Sequence, residues 1–464
     1  MIASPPINAG RSPWDRVAAA SLVAAVAALP LVKSIQLPWI GSRAALFDLA
    51  ALLTIGSWAA ARTRDRSWRT VDRAWSIDAP LLALFAVSIA SGWTVWRALG
   101  SRVAMTQFTI EVIVLAYILA FFLAARDVLI RNHLLPAATL AWTCGAAVAG
   151  ALGIVGTMEM FRCHTPLSSL VLWQSRLTST FTNPNQLAAY LVPTVPVTAA
   201  VWVAAANRRR LGVFAALVAF SSMVALLFTG SRGGLVGIIA AIAAMVILQR
   251  RSIRALAAVF TVVAVALLVF ALAHQRAERG NACLAYMNEN VRSLTVRLAD
   301  ELGVARILFR NAPAARVTFG GDTASAFVFR AQMARYALLL AATHPLGAGI
   351  GTMHLYIYEM TDHQAYVDAH DMFLTVLAET GFVGAALFVW AVAWFLWTAF
   401  TLARRSTSAW LRTVAAGMAA GLAGYILMST SFDAQRQRVL WVAFAWVYAA
   451  WRQSATQMAR PNLV

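Results

Sequence analysis

Four short segments of this 464-residue chain carry side chains whose types and spacing suit chemistry on a negatively charged substrate. Arg232 stands in LLFTGSRGGLVGII, where one apolar run ends, the chain turns and the next run begins. Gly230, Gly233 and Gly234 permit close backbone approach there, and Ser231 leaves a helix N-terminus aimed at the same place, a ready anion site. An arginine at the edge of an apolar helix also snorkels with no further role, so both readings stay open. Arg176 lies in QSRLTSTFTNPNQLAAY, with Asn183, Asn185 and Gln186 where the next helix begins. Those amides are either ordinary capping and turn residues or substrate contacts. The segment FRAQMARYALLLAATHPLGAGIGT sets Arg330 and Arg335 ahead of His344-Pro345-Leu346-Gly347. Five residues on a helix turn it by about 140°, so the two arginines do not share a face, and one is solvated. The glycines read as a tight backbone passage, and His344 before a proline reads as structural. His370, in VDAHDMFLTVLAETGFVG, lies between Asp368 and Asp371 just before an apolar run. A neutral imidazole oriented by a carboxylate is the usual equipment of a general base near neutral pH. Guanidinium groups bind phosphate oxygens through charge-assisted bonds of about 1.5–3 kcal/mol each. The set therefore points to a phosphate-bearing substrate and a proton transfer.

The elements that must position these side chains follow from composition. The chain is 61% hydrophobic and 12% charged, against about 25% charge in soluble domains, which makes it a membrane protein. Its net charge of +19 would suggest nucleic acid in a soluble protein, but the arginines fall between apolar runs, where topology explains them. Membrane lipids are the expected surroundings and nucleic acid is not an expected partner. Runs of about 20 apolar residues predict spans near 17–35, 44–61, 79–96, 107–125, 134–157, 187–206, 211–229, 233–249, 254–273, 373–403, 411–430 and 438–454. The fold class is thus an all-α polytopic membrane protein of about twelve transmembrane helices. Three units follow: 1–273 with nine helices, a loop at 274–372, and 373–464 with three more. With both termini cytoplasmic, basic residues in the inner segments outnumber those in the short outer ones roughly two to one. No cleavable signal peptide is evident before the first span.

The 274–372 stretch is too long for an idle turn, and helix-compatible patterns such as 323–343 predict an ordered, mostly helical periplasmic cap. All four segments above face that side. Cys144, Cys163 and Cys283 show no metal-binding spacing, and Cys163 and Cys283 fall on the outer side, where a disulfide between two loops is one option. No D-x-D, P-loop or G-x-S-x-G motif occurs, and no carboxylates or histidines cluster at metal-ligand spacing, so neither metal nor cofactor is expected.

The run SRGGLVGIIAA, followed by HPLGAGIGT and AHDMFLTVLAETGFVG and preceded by RLTSTFTNPNQLA, resembles the signature region of the O-antigen ligase and polymerase superfamily. The resemblance covers roughly 170–390 in motifs and the whole chain in topology. It implies a GT-C-like glycosyltransferase of the bacterial inner membrane, acting on the periplasmic face without a nucleotide sugar. Glycan would pass from an undecaprenyl diphosphate-linked donor to an acceptor hydroxyl. Carried onto this chain, it makes Arg176, Arg232 and Arg330 diphosphate contacts, with Arg335 a weaker one, and His370 the base. Asn183, Asn185 and Asp371 become substrate contacts. The family often has Asn where this chain has Asp371, which replaces an amide by a carboxylate that would raise the basicity of His370. A single displacement with no protein nucleophile would invert the anomeric centre. The compact chain with one large loop and no soluble domain after the last span favours a ligase with a lipid A-core acceptor. A polymerase or a protein O-oligosaccharyltransferase would use the same donor, and a lipid-linked oligosaccharide flippase is the non-enzyme alternative.

Overall fold

The computed structural model describes residues 12–32, 45–65, 74–162, 171–173, 176–205, 207–250, 252–279, 323–361, 369–431 and 435–458. The described helices are α1 Pro13–Ala27, α2 Leu46–Arg64, α3 Trp75–Ala90, α4 Gly92–Ala98, α5 Arg102–Arg131 and α6 Leu135–Arg162, then α7 Pro184–Ala204, α8 Arg209–Phe228, α9 Arg232–Gln249 and α10 Ile253–Glu278. After these come α11 Thr323–Thr343, α12 Met353–Met360, α13 Met372–Arg405, α14 Ala409–Met428 and α15 Arg438–Met458. A two-residue antiparallel ladder, β1 Leu172–Trp173 with β2 Arg176–Leu177, is the only described strand pairing. Eight described helices are long and apolar enough to cross a membrane, with α3 and α4 acting as one. Each of the twelve expected spans overlaps a helix, but α1, α2, α10 and α15 fall short of that criterion. Within the 274–372 stretch, the helix expected at 323–343 is present as α11, and α12 adds a second.

Polar residues at the ends of the apolar runs start the helices. Ser101, Ser231 and Ser408 accept from the backbone N–H three residues on, which satisfies one of the donors a helix start leaves unpaired. The bundle is organised around α7, which carries no charge and is the most deeply buried of the eight. Pro193 and Pro196 cost it backbone bonds, and Thr194 and Thr198 hydroxyls donate to the carbonyls of Tyr190 and Thr194 at 2.6 and 2.8 Å. Gly417 and Gly421 of α14 meet these prolines. A Cβ at either would fall 2.6 Å from the Pro196 carbonyl oxygen or 2.8 Å from Pro193 Cα, so only glycine permits this approach.

The helix ends differ from expectation. Arg62 and Arg126, read from the sequence as loop charges, are 2% exposed inside α2 and α5. Arg62 Nε donates to Asp127 at 2.9 Å, joined by Trp58 Nε1 at 2.7 Å, and Arg126 Nη2 donates to Asp78 at 3.1 Å. A charge paired within the protein need not leave the apolar layer, so these helices run on past the first ionisable residue. At the other end of the bundle, Arg438 Nε donates to Asp48 at 2.8 Å and Tyr117 Oη donates to the same carboxylate at 3.0 Å.

Candidate functional site

The α8–α9 turn is held shut by its own side chains. Thr229 Oγ1 donates to the Leu226 carbonyl and accepts from the Ser231 N–H, and Gly230 takes a left-handed φ of 60°. Arg176, on β2, reaches across to this turn. Its Nε donates to the Thr229 carbonyl at 2.8 Å and its Nη2 to Asn185 Oδ1 at 3.1 Å. Asn183 caps α7 by accepting from the Asn185 N–H at 2.7 Å. The structure thus joins Arg176, Asn183, Asn185 and the backbone before Arg232. Arg232 is the first residue of α9 and is half-buried, and its guanidinium makes no hydrogen bond or ion pair among the described residues. A guanidinium beside the positive end of an 18-residue helix makes this corner receptive to an anion.

His370 occupies a second corner. It precedes α13 and has a φ of 52°, a left-handed conformation unusual outside glycine. Asp371 caps α13, its Oδ1 accepting from Phe373 and Leu374 N–H at 2.8 and 2.9 Å. Burial pushes the Asp371 carboxyl above its ordinary range, and those two N–H donors oppose the shift. Ala369 is buried with Met333, Ala337 and Leu340 of α11 and with Met353 and Ile357 of α12. The cap therefore packs directly behind the histidine. Backbone strain of this kind persists only where the surroundings impose it.

Those surroundings include a splice between a loop and a broken helix. Within α13, Gly381 adopts φ 70° and ψ −173°, which interrupts the helical ladder. The carbonyls released, those of Ala378 and Glu379, accept from Ala348 and Gly349 N–H at 2.8 and 3.0 Å, and the Phe382 N–H donates to the Pro345 carbonyl. The His-Pro-Leu-Gly loop thus supplies the bonds that α13 lacks. A Cβ at Gly347 would lie 2.4 Å from the Glu379 carbonyl oxygen, and one at Gly381 would lie 2.2 Å from that of Pro345. The glycines are a backbone passage, as read from the sequence. His344 stays structural, with Nδ1 2.9 Å from Thr343 Oγ1 and its ring edge-on to Tyr356, whose hydroxyl burial pushes up to about 12.

Behind this loop lies a cluster the sequence did not single out. Arg436 bridges Glu379 of α13 at 2.7 Å and Glu111 of α5 at 3.3 Å, and the Glu111 side chain passes where a Cβ on Gly351 would be. Glu111 and Glu379 each stand alone in an apolar run, and that was the available signal. Gly237 of α9 packs on Met428, near the end of α14 and shortly before Arg436. The Arg232 corner and the His370 corner therefore lie at the same end of the bundle.

Arg335 is exposed on α11, on the side away from Met333, Ala337 and Leu340. Helix position 330 falls on the same side as those packed residues, three residues before Met333. The side chain of Arg330 is outside the described residues, as are Asp368, Cys163, Cys283 and most of the 274–372 loop, so the expected disulfide falls there too. Cys144 is an exposed thiol on α6.

A comparison with curated proteins found no match. Residues 214–389 match the O-antigen ligase family, and this segment contains Arg232, Arg330, Arg335, the His-Pro-Leu-Gly loop and His370, while Arg176 precedes it. That segment, set among helices long and apolar enough to cross a membrane, makes this part of the chain similar to the O-antigen ligase family.

Proposed function

We propose that the protein is an O-antigen ligase that moves glycan from undecaprenyl diphosphate to a sugar hydroxyl of lipid A-core. The observation that carries this reading is the α8–α9 corner, where Arg176 is tied to Thr229 and Asn185 while Arg232 is left without a described partner at a helix N-terminus. In this reading the donor diphosphate sits on Arg232 and Arg176, with Arg330 on the packed side of α11 completing the set and Arg335 remaining in solvent. The acceptor oxygen attacks the anomeric carbon as the bond to the diphosphate oxygen breaks. The electron pair goes to that oxygen, where the arginines stabilise the growing charge, and the acceptor proton goes to the imidazole of His370. One displacement without a protein nucleophile inverts the anomeric centre. No metal is needed where guanidinium groups carry the charge.

The site faces the periplasm of a GT-C-like inner-membrane enzyme with both termini cytoplasmic, and α1, α2, α10 and α15 complete twelve crossings. The buried charges support an enzyme over a transporter. Asp48, Arg62, Asp78, Arg126 and Asp127 lie near the ends of their helices, Glu111 and Glu379 lie about two turns in and are paired with Arg436, and the central α7 carries no charge, whereas transport sites sit near the midplane. The test is a split between binding and turnover with purified protein. Arg232→Ala is expected to abolish binding of a lipid diphosphate donor, while His370→Ala binds it normally and fails to transfer. Normal donor affinity in Arg232→Ala contradicts the assignment.

A further inference from the structure

We infer that Arg436 is a positioning residue for the proposed base. It ties Glu379 to Glu111 and so fixes the short first segment of α13, at whose start His370 stands; the inference rests on the role given to His370 above. The Gly381 break leaves that segment, from Met372 to Thr380, only about 13 Å long. Its Ala378 packs into the cap with Ala369 and Met333, while Met372 and Val376 belong to the core of the bundle. Val376 and Thr380 also line a cavity of about 480 Å³, shared with Leu84, Leu115 and Ile118. Packing alone therefore leaves room for the segment to shift.

Three charged side chains line the same cavity and restrain it. Arg436 Nη2 donates to Glu379 at 2.7 Å, and Arg436 Nη1 lies 3.3 Å from Glu111 Oε2. Glu379 is next to the last residue of the segment, so the clamp grips the end opposite His370. Both anchors are themselves fixed. Gln107 Nε2 donates to Glu111 at 3.1 Å, and the Glu111 side chain fills the place that a Cβ on Gly351 would take. Around Arg436, Trp441 Nε1 donates to the Gln435 carbonyl at 2.9 Å and Arg438 Nε to Asp48 at 2.8 Å. Stability alone is a poor reason for this arrangement. Both carboxylates are buried and share one guanidinium, and apolar residues of similar size often serve a core as well. What apolar residues lack is a directed bond joining α5, α13 and the turn before α15. A reacting group displaced by about 1 Å loses up to ~100-fold in rate, so even a smaller shift of the segment is costly.

The experiment uses full-length protein in detergent with a lipid-linked glycan donor already bound and saturating lipid A-core, and reads the single-turnover rate per bound donor. In Glu111→Met/Glu379→Met/Arg436→Met, unbranched side chains follow the same paths without charge, which should preserve the fold. Donor Kd and binding stoichiometry are expected within about twofold of wild type, with the rate per bound donor lower by about tenfold or more. Arg436→Lys, whose single ammonium lacks the fork that spans two carboxylates, should fall in between. A triple variant that transfers at the wild-type rate per bound donor overturns the inference, including one that has lost donor sites in proportion to its activity, because an unfolded fraction does that. A donor Kd raised in proportion to the fall in rate also overturns it, since the cluster then serves the donor's corner. If the triple variant does not fold, Arg436→Lys decides, and a wild-type rate per bound donor there overturns the inference. Wild type that lengthens the lipid-linked glycan instead of loading lipid A-core refutes the ligase reading, and the same comparison is then made on that product. An unchanged rate in His370→Ala refutes the base assignment on which the clamp depends.

Discussion

Replacing Gly381 by alanine tests the splice that holds the site together. The backbone there has φ 70° and ψ −173°, a region that residues with a Cβ avoid at a cost of about 1–3 kcal/mol. The added methyl would also lie 2.2 Å from the Pro345 carbonyl oxygen and 2.6 Å from the Gly347 N. Both are backbone atoms, so the loop must move. It is held by three bonds, Ala348 N–H and Gly349 N–H to the released carbonyls and Phe382 N–H to Pro345. Losing one or two of these adds about 1 kcal/mol each, for a total of roughly 2–5 kcal/mol. Thermal unfolding in detergent should show a midpoint several degrees lower than wild type. Transfer should fall further than stability alone explains, since a shift of about 1 Å at a reacting centre costs up to ~100-fold in rate. Gly56→Ala is the control, because nothing lies within 4 Å of its Cβ position in α2 and alanine there should be neutral or stabilising. If Gly381→Ala unfolds and turns over like wild type, the splice does not position the site.

Breaking a buried pair at the opposite end by Arg126→Met should destabilise by about 3–5 kcal/mol, since Asp78 is then left buried without its cation, and Asp78→Asn in the same chain should recover part of this in the unfolding midpoint. Asp371→Asn should keep the α13 cap and Asp371→Ala should lose about 1 kcal/mol of it. Because burial raises the Asp371 carboxyl above its unfolded value, the folded chain holds that proton more tightly. Stability from this group is therefore full on the acid side and lost as pH rises through the folded value. The advantage of Asn over Asp should accordingly grow in the unfolding midpoint as pH rises from the ordinary carboxylate range through the raised folded value, and a shrinking advantage contradicts the burial argument. Arg335→Ala should leave transfer within about twofold of wild type while Arg330→Ala lowers it by about 100-fold or more, and equal effects contradict the assigned helix faces.

Much of this arrangement was legible in the residues. The α11 boundaries, the Asn183 and Ser231 caps and the glycine passage at 347–351 follow from local rules of periodicity and turn chemistry. The ends of the spans did not. The hydropathy reading ends two spans just before Arg62 and Arg126, whereas both stay in the bundle because Asp127 and Asp78 meet them from other helices. The break in α13 was also hidden, because Glu379-Thr380-Gly381 reads as a helix interior until the 345–349 loop is brought beside it. Arg436 joins Glu379, 57 residues before it, to Glu111 on the distant α5, a contact that spacing along the sequence cannot reveal. At Arg232 the sequence allowed a snorkelling arginine or an anion contact, and its half-buried guanidinium, with no partner among the described residues, favours the second.

In the proposed reaction a lipid diphosphate donor loses its glycan to a lipid A-core hydroxyl on the strength of arginines and one histidine. The direct measurement is transfer by purified protein from a lipid-linked O-antigen donor to lipid A-core, with chelator present and without ATP. Wild type should put glycan on lipid A-core with inverted anomeric configuration, and folded Arg232→Ala or His370→Ala protein should put none. Longer lipid-linked chains with nothing on lipid A-core, or full activity in either variant, would contradict it.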